Sequence, residues 1–446
     1  PECPPQGLPP AIQATIEDRL AQLSPMARDL VGLAATIGRE FSFTVLAGAC
    51  ELDPDALLRA LDELWQRRVV REHSSEGYDF SHDKLRQVAY ARMSEARQRE
   101  MHRHVAQALE AVYASEPGEV SGRVAAHYER AGEGWRAVPF YLRAARSAAE
   151  VFANRDAADH YARALALLPD TAQGDQAEQR LQALGGLGQA SVRLGHPPQA
   201  AEWLADAIGL GRSLSCPDDR LARLYYWYGQ ALHGVRDYAA QIRAGQEGLA
   251  LLGLTTDSAI ETPESKEPAS LEAALLLSMV ASGYDYTGDR IRGRVLWYRV
   301  ADMVRELPYT PELVFVYSQV AIRYLRDKNL DGIQRWLQIV ESKTAATHDD
   351  LIFARIHERR EQVLSRQGDL RSALEHLHQA LDHTIRTGNA SERFYYTWWI
   401  AFRCFTLGEF AQAELGAQRA VVRADRLDTV QHKMWSSWLW GLVSVS

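Results

Sequence analysis

Histidine is concentrated in two short runs, MHRH (His102, His104) and EHLHQALDH (His376, His378, His383), and such clusters first suggest a metal. On a helix, however, His376 and His378 point roughly 200° apart, while His376 and His383 share a face two turns apart. Neither pair closes a tetrahedral shell, so no metal site is expected. His357 opens HERRE but lacks the second histidine of a HExxH helix, and no Gly-x-Ser-x-Gly elbow occurs. Cys404, between Phe402 and Phe405, reads as a buried structural thiol. No GxxxxGK[ST] loop is present: the nearest string, GYDYTGDR from Gly283, has Asp289 where the phosphate-binding lysine belongs. No catalytic residue and no cofactor within this chain are expected. What stands out instead is aromatic density, RFYYTWWIAFRCF, beside an Arg-bearing stretch around Arg355 and Arg366. What those side chains can bind depends on the elements that hold them.

Those elements are helices. Of 446 residues only 30 are Gly and 17 Pro, and both fall mostly between runs rich in Ala, Leu, Arg and Glu. From about Leu181 onward one pattern recurs. In QGDLRSALEHLHQAL, Gly368 opens a turn, Ala373 follows five residues later and Ala380 seven after that; Gly408, Ala413 and Ala420 repeat it, as do Gly195, Ala200 and Ala207. Gly288 with Gly293 is another copy. Arg236 and Lys328 occupy the turn position in two degenerate copies, with Ile333 where alanine is expected. Successive turn positions lie 41, 52, 40, 40 and 40 residues apart. The pattern is that of the tetratricopeptide repeat, stretched beyond its usual period of about 34 residues by extra helix in each pair. Small side chains sit where paired backbones cross, and each pair hides its remaining apolar face on its neighbours. The 52-residue step holds GLTTDSAIETPESKEPAS, read as an exposed loop over residues 253–270.

The first helix of such a pair lines the concave groove, and counting back from each turn selects the side chains that face it. These are Tyr395, Trp398, Phe402 and Phe405 before Gly408; Phe315, Ser318, Ile322 and Leu325 before Lys328; Arg223, Tyr226, Gln230 and His233 before Arg236. The copy before Gly368 offers Arg355, Glu358, Gln362 and Arg366. An aromatic wall beside arginines suits a ligand with flat or apolar faces and anionic groups. So many large rings on one helix exceed what one buried face absorbs.

Upstream, YERAGEGWRAVPFYLRAARSA carries the grammar at Gly132, Ala137 and Ala144, and the next copy follows irregularly. Residues 11–112 do not repeat. Ser24-Pro25 and Asp53-Pro54 are N-cap and first-turn pairs, and Val69–Glu72 and Tyr78–Phe80 are β-prone runs around a Ser/Gly turn. Helices followed by a hairpin outline a winged-helix domain. The expected organisation is a linker (1–10), a winged helix (11–112), an irregular helical start (113–180) and a repeat superhelix (181–446). The chain stops inside WSSWLWGLVSVS, without the polar face that a terminal repeat needs, so an artificial boundary is expected there.

LPPAIQATIEDRLAQLSPMARDLVGLAATIGREF, LDELWQRRVV, FSHDKLRQVAY and the forty-residue repeats together resemble the region that follows the nucleotide-binding module in bacterial STAND signal-transduction ATPases, the group of the maltose-regulon activator. The resemblance implies a mostly α chain: a winged helix that holds an ADP-bound resting state, then a right-handed tetratricopeptide superhelix that senses an effector. It also implies that ATP or ADP binds the absent module in the whole protein. Phe80-Ser81-His82-Asp83 matches the place where relatives carry Met-His-Asp, so His82 is implied as a contact to the ADP phosphate, with Phe-Ser standing where those relatives have Met. From the residues alone, Ser81 is an N-cap and His82 a polar first-turn residue.

Charge and composition bound the partners. Fifty Lys and Arg against 58 Asp and Glu give a net charge of -8, which argues against bulk attraction to nucleic acid or anionic membrane. The third helix, FSFTVLAGACELD, has no basic residue, so direct DNA binding is not expected. Four scattered cysteines and no apolar leader fit the cytoplasm. The expected partner is a small-molecule inducer or a regulatory protein in the groove. The rival is a plain scaffold that docks a peptide or protein tail, for which only the Gly368 copy has the basic groups of a carboxylate clamp.

Overall fold

The computed structural model describes residues 10–73, 77–114, 117–151, 153–256, 270–387, 390–427 and 430–444. The expected linker, most of the 253–270 loop and the hairpin turn at Ser74–Glu76 therefore lie largely outside the described residues. The fold is mostly α. Two compact units divide the chain, one of residues 1–217 with 230–235, the other of 218–229 with 236–446.

The first unit begins with α1 (Pro10–Ala21) and α2 (Pro25–Ile37), then β1 (Glu40–Ser42), α3 (Phe43–Ala49), α4 (Pro54–Gln66), β2 (Val70–Glu72), β3 (Gly77–Phe80) and α5 (Asp83–Ala91). Both sequence-read caps are in place: Ala27 N–H donates to Ser24 Oγ and Ala56 N–H to Asp53 Oδ1. Glu63 of α4 also grips Ser24, accepting from its backbone N–H at 2.8 Å and its hydroxyl at 2.6 Å, so the start of α2 is tied to α4. The strands form one antiparallel sheet in the order β1-β3-β2, with Phe41 opposite Tyr78 and Val70 opposite Phe80. The short β1 lacks an alternating signal and was not read from sequence. Its presence makes α3 the second helix and α4 the third in the run α2-β1-α3-α4-β2-β3. The third helix of that run is thus PDALLRALDELWQ rather than the FSFTVLAGA segment, and it sets Arg59 against Asp55, Asp62 and Glu63.

Then come α6 (Glu95–Val112), α7 (Pro117–Arg130), α8 (Gly134–Glu150), α9 (Asn154–Ala166), α10 (Asp175–Arg193) and α11 (Pro197–Ser213). Gly132 turns α7 into α8 and Gly195 turns α10 into α11, which leaves α9 as a single helix between two pairs. One core runs from Leu20 through Val105, Tyr128 and Tyr161 to Leu187, without a break at residue 112. The division between units falls inside α12 (Asp218–Gly234), not at 180.

The second unit continues with α13 (Tyr238–Leu251), α14 (Leu271–Thr287), α15 (Arg290–Glu306), a 3-10 turn at Pro311–Leu313, α16 (Val314–Arg326), α17 (Leu330–Thr344), α18 (Asp350–Gln367), α19 (Leu370–Thr387), α20 (Ala390–Thr406), α21 (Phe410–Leu427) and α22 (Val430–Ser444). The residues read as turns are the left-handed ones: Arg236, Gly288, Lys328, Gly368 and Gly408 have φ of 65°, 93°, 57°, 87° and 79°. At Gly368 the next N–H returns to Leu364 O at 3.0 Å, and at Lys328 to Tyr324 O at 2.9 Å, so the same helix-ending motif forms with either residue. The small positions are crossing points: Ala373, Ala380, Ala413 and Ala420 are fully buried, and a Cβ on Gly416 would come within 2.7 Å of the Ala401 methyl. Among the described residues, no helix is long and apolar enough to cross a membrane.

Candidate functional site

The side chains proposed to line a groove are on the first helices α12, α16, α18 and α20, but register alone does not leave them open. The position ten residues before the turn is buried in the five copies from Arg236 to Gly408: Tyr226, Ser278, Ser318, Glu358 and Trp398. Trp398, 9% exposed, donates its indole N–H to Trp435 O and packs in one three-ring cluster with Phe402 and Trp438. Tyr226, 7% exposed, likewise belongs to the interior. Both are corrections to the groove assignment, because the neighbouring repeat covers that position. The rings of α20 are absorbed by two cores, Phe394 and Trp398 packing toward α21 and α22 and Tyr396 toward Ala354, Leu377 and Ala380.

The open face lies along other positions. Six residues before the turn, Ser282, Ile322, Gln362 and Phe402 are each half-buried, and thirteen before it Phe315 is 49% exposed. Phe405 is half-buried with its ring edge-on to Phe410, His233 is half-buried, and Arg366 is exposed at the end of α18, where it bonds Gln362 O.

Arg355 is not free to meet a ligand. It donates to Glu358 at 2.9 Å and to Glu392 at 2.6 Å. Glu358, 3% exposed, also accepts from Tyr395 and Tyr396 and pairs with Arg359, which reaches back to Ser318 Oγ at 2.9 Å. Burial alone would push the Glu358 carboxyl up, yet Arg359 and Arg355 bring it below its ordinary value; at Glu392 burial prevails and the carboxyl is raised. One step along, Glu361 accepts from Arg403 of α20, and upstream Asp285 of α14 accepts from Arg323 of α16 at 3.1 Å. Each neighbouring pair of first helices from α14 to α20 is therefore joined by polar bonds between residues about one repeat apart. Sequence reading missed Arg323, Arg359, Glu361 and Arg403. The available signal was Glu361, seven residues before its turn, where other copies carry Ala321 and Ala401.

In the first unit, His82 is the N-cap residue of α5, displacing the expected Ser81 by one. Its ring is exposed and makes no capping bond, while Asp83 behind it is held by Arg86 and Gln87 and, chiefly through Arg86, has a lowered pKa. An exposed imidazole at a helix N-terminus has the chemistry to meet an anion. Among the described residues no group of three or more His, Cys, Asp or Glu is arranged to hold a metal.

No family model matches the chain. An uncharacterised protein of Rhizobium meliloti (strain 1021) is 25% identical over 246 residues, and the chain spans about a quarter of that relative, 24% of its length against 52% of its own. Among solved structures, a Rap protein complexed with competence and sporulation factor is similar at a TM-score of 0.50 and 11% identity, over 93% of this chain and 99% of that one. A STAND protein with a tetratricopeptide-repeat sensor from Pyrococcus horikoshii overlaps 94% of this chain and 65% of its own at a TM-score of 0.40 and 12% identity. Aspartyl phosphate phosphatase F from Bacillus subtilis overlaps 92% of this chain and 95% of its own at 0.49 and 11% identity. The Rap likeness agrees with the forty-residue repeat, and the chain has a tetratricopeptide-like helical repeat fold.

Proposed function

We propose that the chain is the regulatory part of a STAND-type signalling ATPase, in which the repeat array docks an effector and a winged-helix module holds the ADP-bound resting state. The observation that carries this reading is the run α2-β1-α3-α4-β2-β3, a winged-helix order, built on a core that continues into the helical array while exposing His82. The Rap protein, alike in fold, was solved with competence and sporulation factor, which supports a protein or peptide as the effector over a small inducer. An effector switches such a protein only if it binds the open arrangement better than the closed one. The reading is tested on the whole natural protein by the release rate of a fluorescent ADP analogue. His82→Ala accelerates release several-fold, and the effector does the same to the unaltered protein. Unchanged release in His82→Ala removes the nucleotide-linked part and favours the rival, a repeat scaffold that docks a partner without switching.

A further inference from the structure

Four arginines gather at the end of the α20 and α21 hairpin that lies away from its Gly408 turn. Arg393 stands in the first turn of α20, and Arg419, Arg423 and Arg426 share one face of α21 near its end. Arg423 Nη1 donates to Arg393 O at 2.9 Å and to Thr397 Oγ1, which fixes it across the helix pair. Arg393 and Arg423 are half-buried, Arg393 Nε is buried without a hydrogen bond, and Arg419 and Arg426 are exposed. Burial first, and then Arg393, Arg419 and Arg426, pulls the Arg423 guanidinium below its ordinary value, as like charges crowded together do.

The neighbouring repeat balances the same positions with an acid. Counted from the turns at Gly368 and Gly408, Arg423 stands where the preceding repeat has His383, and Arg426 where it has Arg386. There Asp350 answers both, 2.6 Å from His383 Nδ1 and accepting from Arg386 Nε at 2.8 Å. The counterpart of Asp350 is Ala390, and Arg393 adds a further charge where the other repeat has Phe353. Glu392, next to Arg393 in sequence, is bonded to Arg355 instead. Among the described residues no carboxylate pairs with any of the four, whereas Arg323, Arg355, Arg359 and Arg403 of the same unit are all paired. A lone exposed arginine is simply solvated. Four on one helix pair repel one another, two of them with part of their hydration removed, and that cost falls when an anion joins them. One carboxylate suffices for an arginine and a histidine, but this cluster calls for more charge and more acceptor oxygens. A phosphoryl group carries about two charges on three terminal oxygens and accepts from several guanidinium forks at once.

We propose that the cluster of Arg393, Arg419, Arg423 and Arg426 binds a phosphoryl group. The site uses neither His82 nor the open face of the first helices, so its failure would leave the functional reading above untouched.

The test is thermal unfolding and calorimetric titration of the whole chain with inorganic phosphate at constant ionic strength, with acetate as the comparison. Phosphate raises the unfolding midpoint and binds saturably, and acetate binds at least about tenfold more weakly. Arg419→Gln and Arg426→Gln, at exposed side chains that bond nothing in the fold, together weaken phosphate binding by about tenfold or more, while Arg59→Gln, at an exposed arginine of the first unit, leaves it unchanged. Ala390→Asp supplies the carboxylate that Asp350 provides in the preceding repeat, so it raises the midpoint without phosphate and removes the further rise with it. A short phosphoserine peptide that binds more tightly than inorganic phosphate assigns the group to a protein partner, and one that binds no better assigns it to a small phosphorylated compound; either upholds the proposal. Absence of saturable binding by both phosphate and the peptide at millimolar concentration overturns it. So does phosphate binding that survives the paired arginine substitutions, or equal affinity for acetate.

Discussion

Arg403 of α20 donates two hydrogen bonds to a single oxygen of Glu361 on α18, at 2.6 and 2.8 Å, across 42 residues of sequence. Both side chains are withdrawn from solvent, and the equivalent of Glu361 in other copies is an alanine that lets backbones approach. Removing one partner leaves an uncompensated buried charge, so Glu361→Ala alone should destabilise by about 3–5 kcal/mol. The double variant Glu361→Ala, Arg403→Met should recover most of that loss. Urea denaturation of both singles and the double closes the cycle; a loss in the double equal to the sum of the two single losses would mean that the charges are not coupled.

The left-handed turn at Lys328 imposes on a side chain what Gly368 and Gly408 accept freely. A non-glycine residue there is strained by about 1–2 kcal/mol, of which glycine's greater freedom in the unfolded chain returns part. Lys328→Gly should therefore stabilise by about 0.5–1 kcal/mol, and Gly368→Ala should destabilise by about 1 kcal/mol or more. Denaturation midpoints check both, and a loss in Lys328→Gly would show that the lysine side chain contributes something the turn geometry does not require.

These turns also mark how far sequence carried. Arg236 and Lys328 were placed by counting alone, because a forty-residue spacing fixes where a helix must end whatever residue ends it. The groove was less legible. Counting from the turn tells which residues share a helix face, but not where the next repeat's helix lies against it. Ser318, Glu358 and Trp398 were therefore placed in the open although they are buried. Charged residues on a first helix read equally well as ligand contacts or as inter-repeat pairs until the partner forty residues away is identified. The strand β1 escaped notice because three residues, EFS, carry too little alternation to register.

A buried chain of titratable groups predicts the pH response of the first unit. Tyr90 OH lies 2.8 Å from His102 Nε2, and His102 Nδ1 lies 2.8 Å from His127 Nδ1. Tyr90 donating to His102, and His102 to His127, satisfies the contacts with both imidazoles neutral. Burial, with Arg130 nearby, holds His102 down at about 4, and burial with His102 and Arg130 holds His127 down at about 3, from an ordinary 6.5. A depressed histidine favours folding above the unfolded pKa, and that stability is lost as pH falls below 6.5 toward the folded values. Urea midpoints should be flat above pH 7 and fall steadily from about 6.5 to about 4. In His102→Gln the fall should be shallower, whereas an equal slope would assign the acid response to other groups.

The last prediction separates packing from docking on the repeat face. Trp398 fills the interior between α20 and α22, so Trp398→Ala should cost about 3–5 kcal/mol from cavity and transfer terms together. Phe315 stands half in solvent on α16, and Phe315→Ala should change stability by no more than about 0.5 kcal/mol. A partner that docks along the first helices buries that ring, so the same truncation should weaken its binding by about tenfold or more, as expected of an aromatic anchor. Unfolding midpoints and partner titration are measured on the same two variants. Phe315→Ala that folds normally and binds normally would move the docking surface off this face, and the half-buried Ser282, Ile322 and Gln362 would be relieved of that role with it.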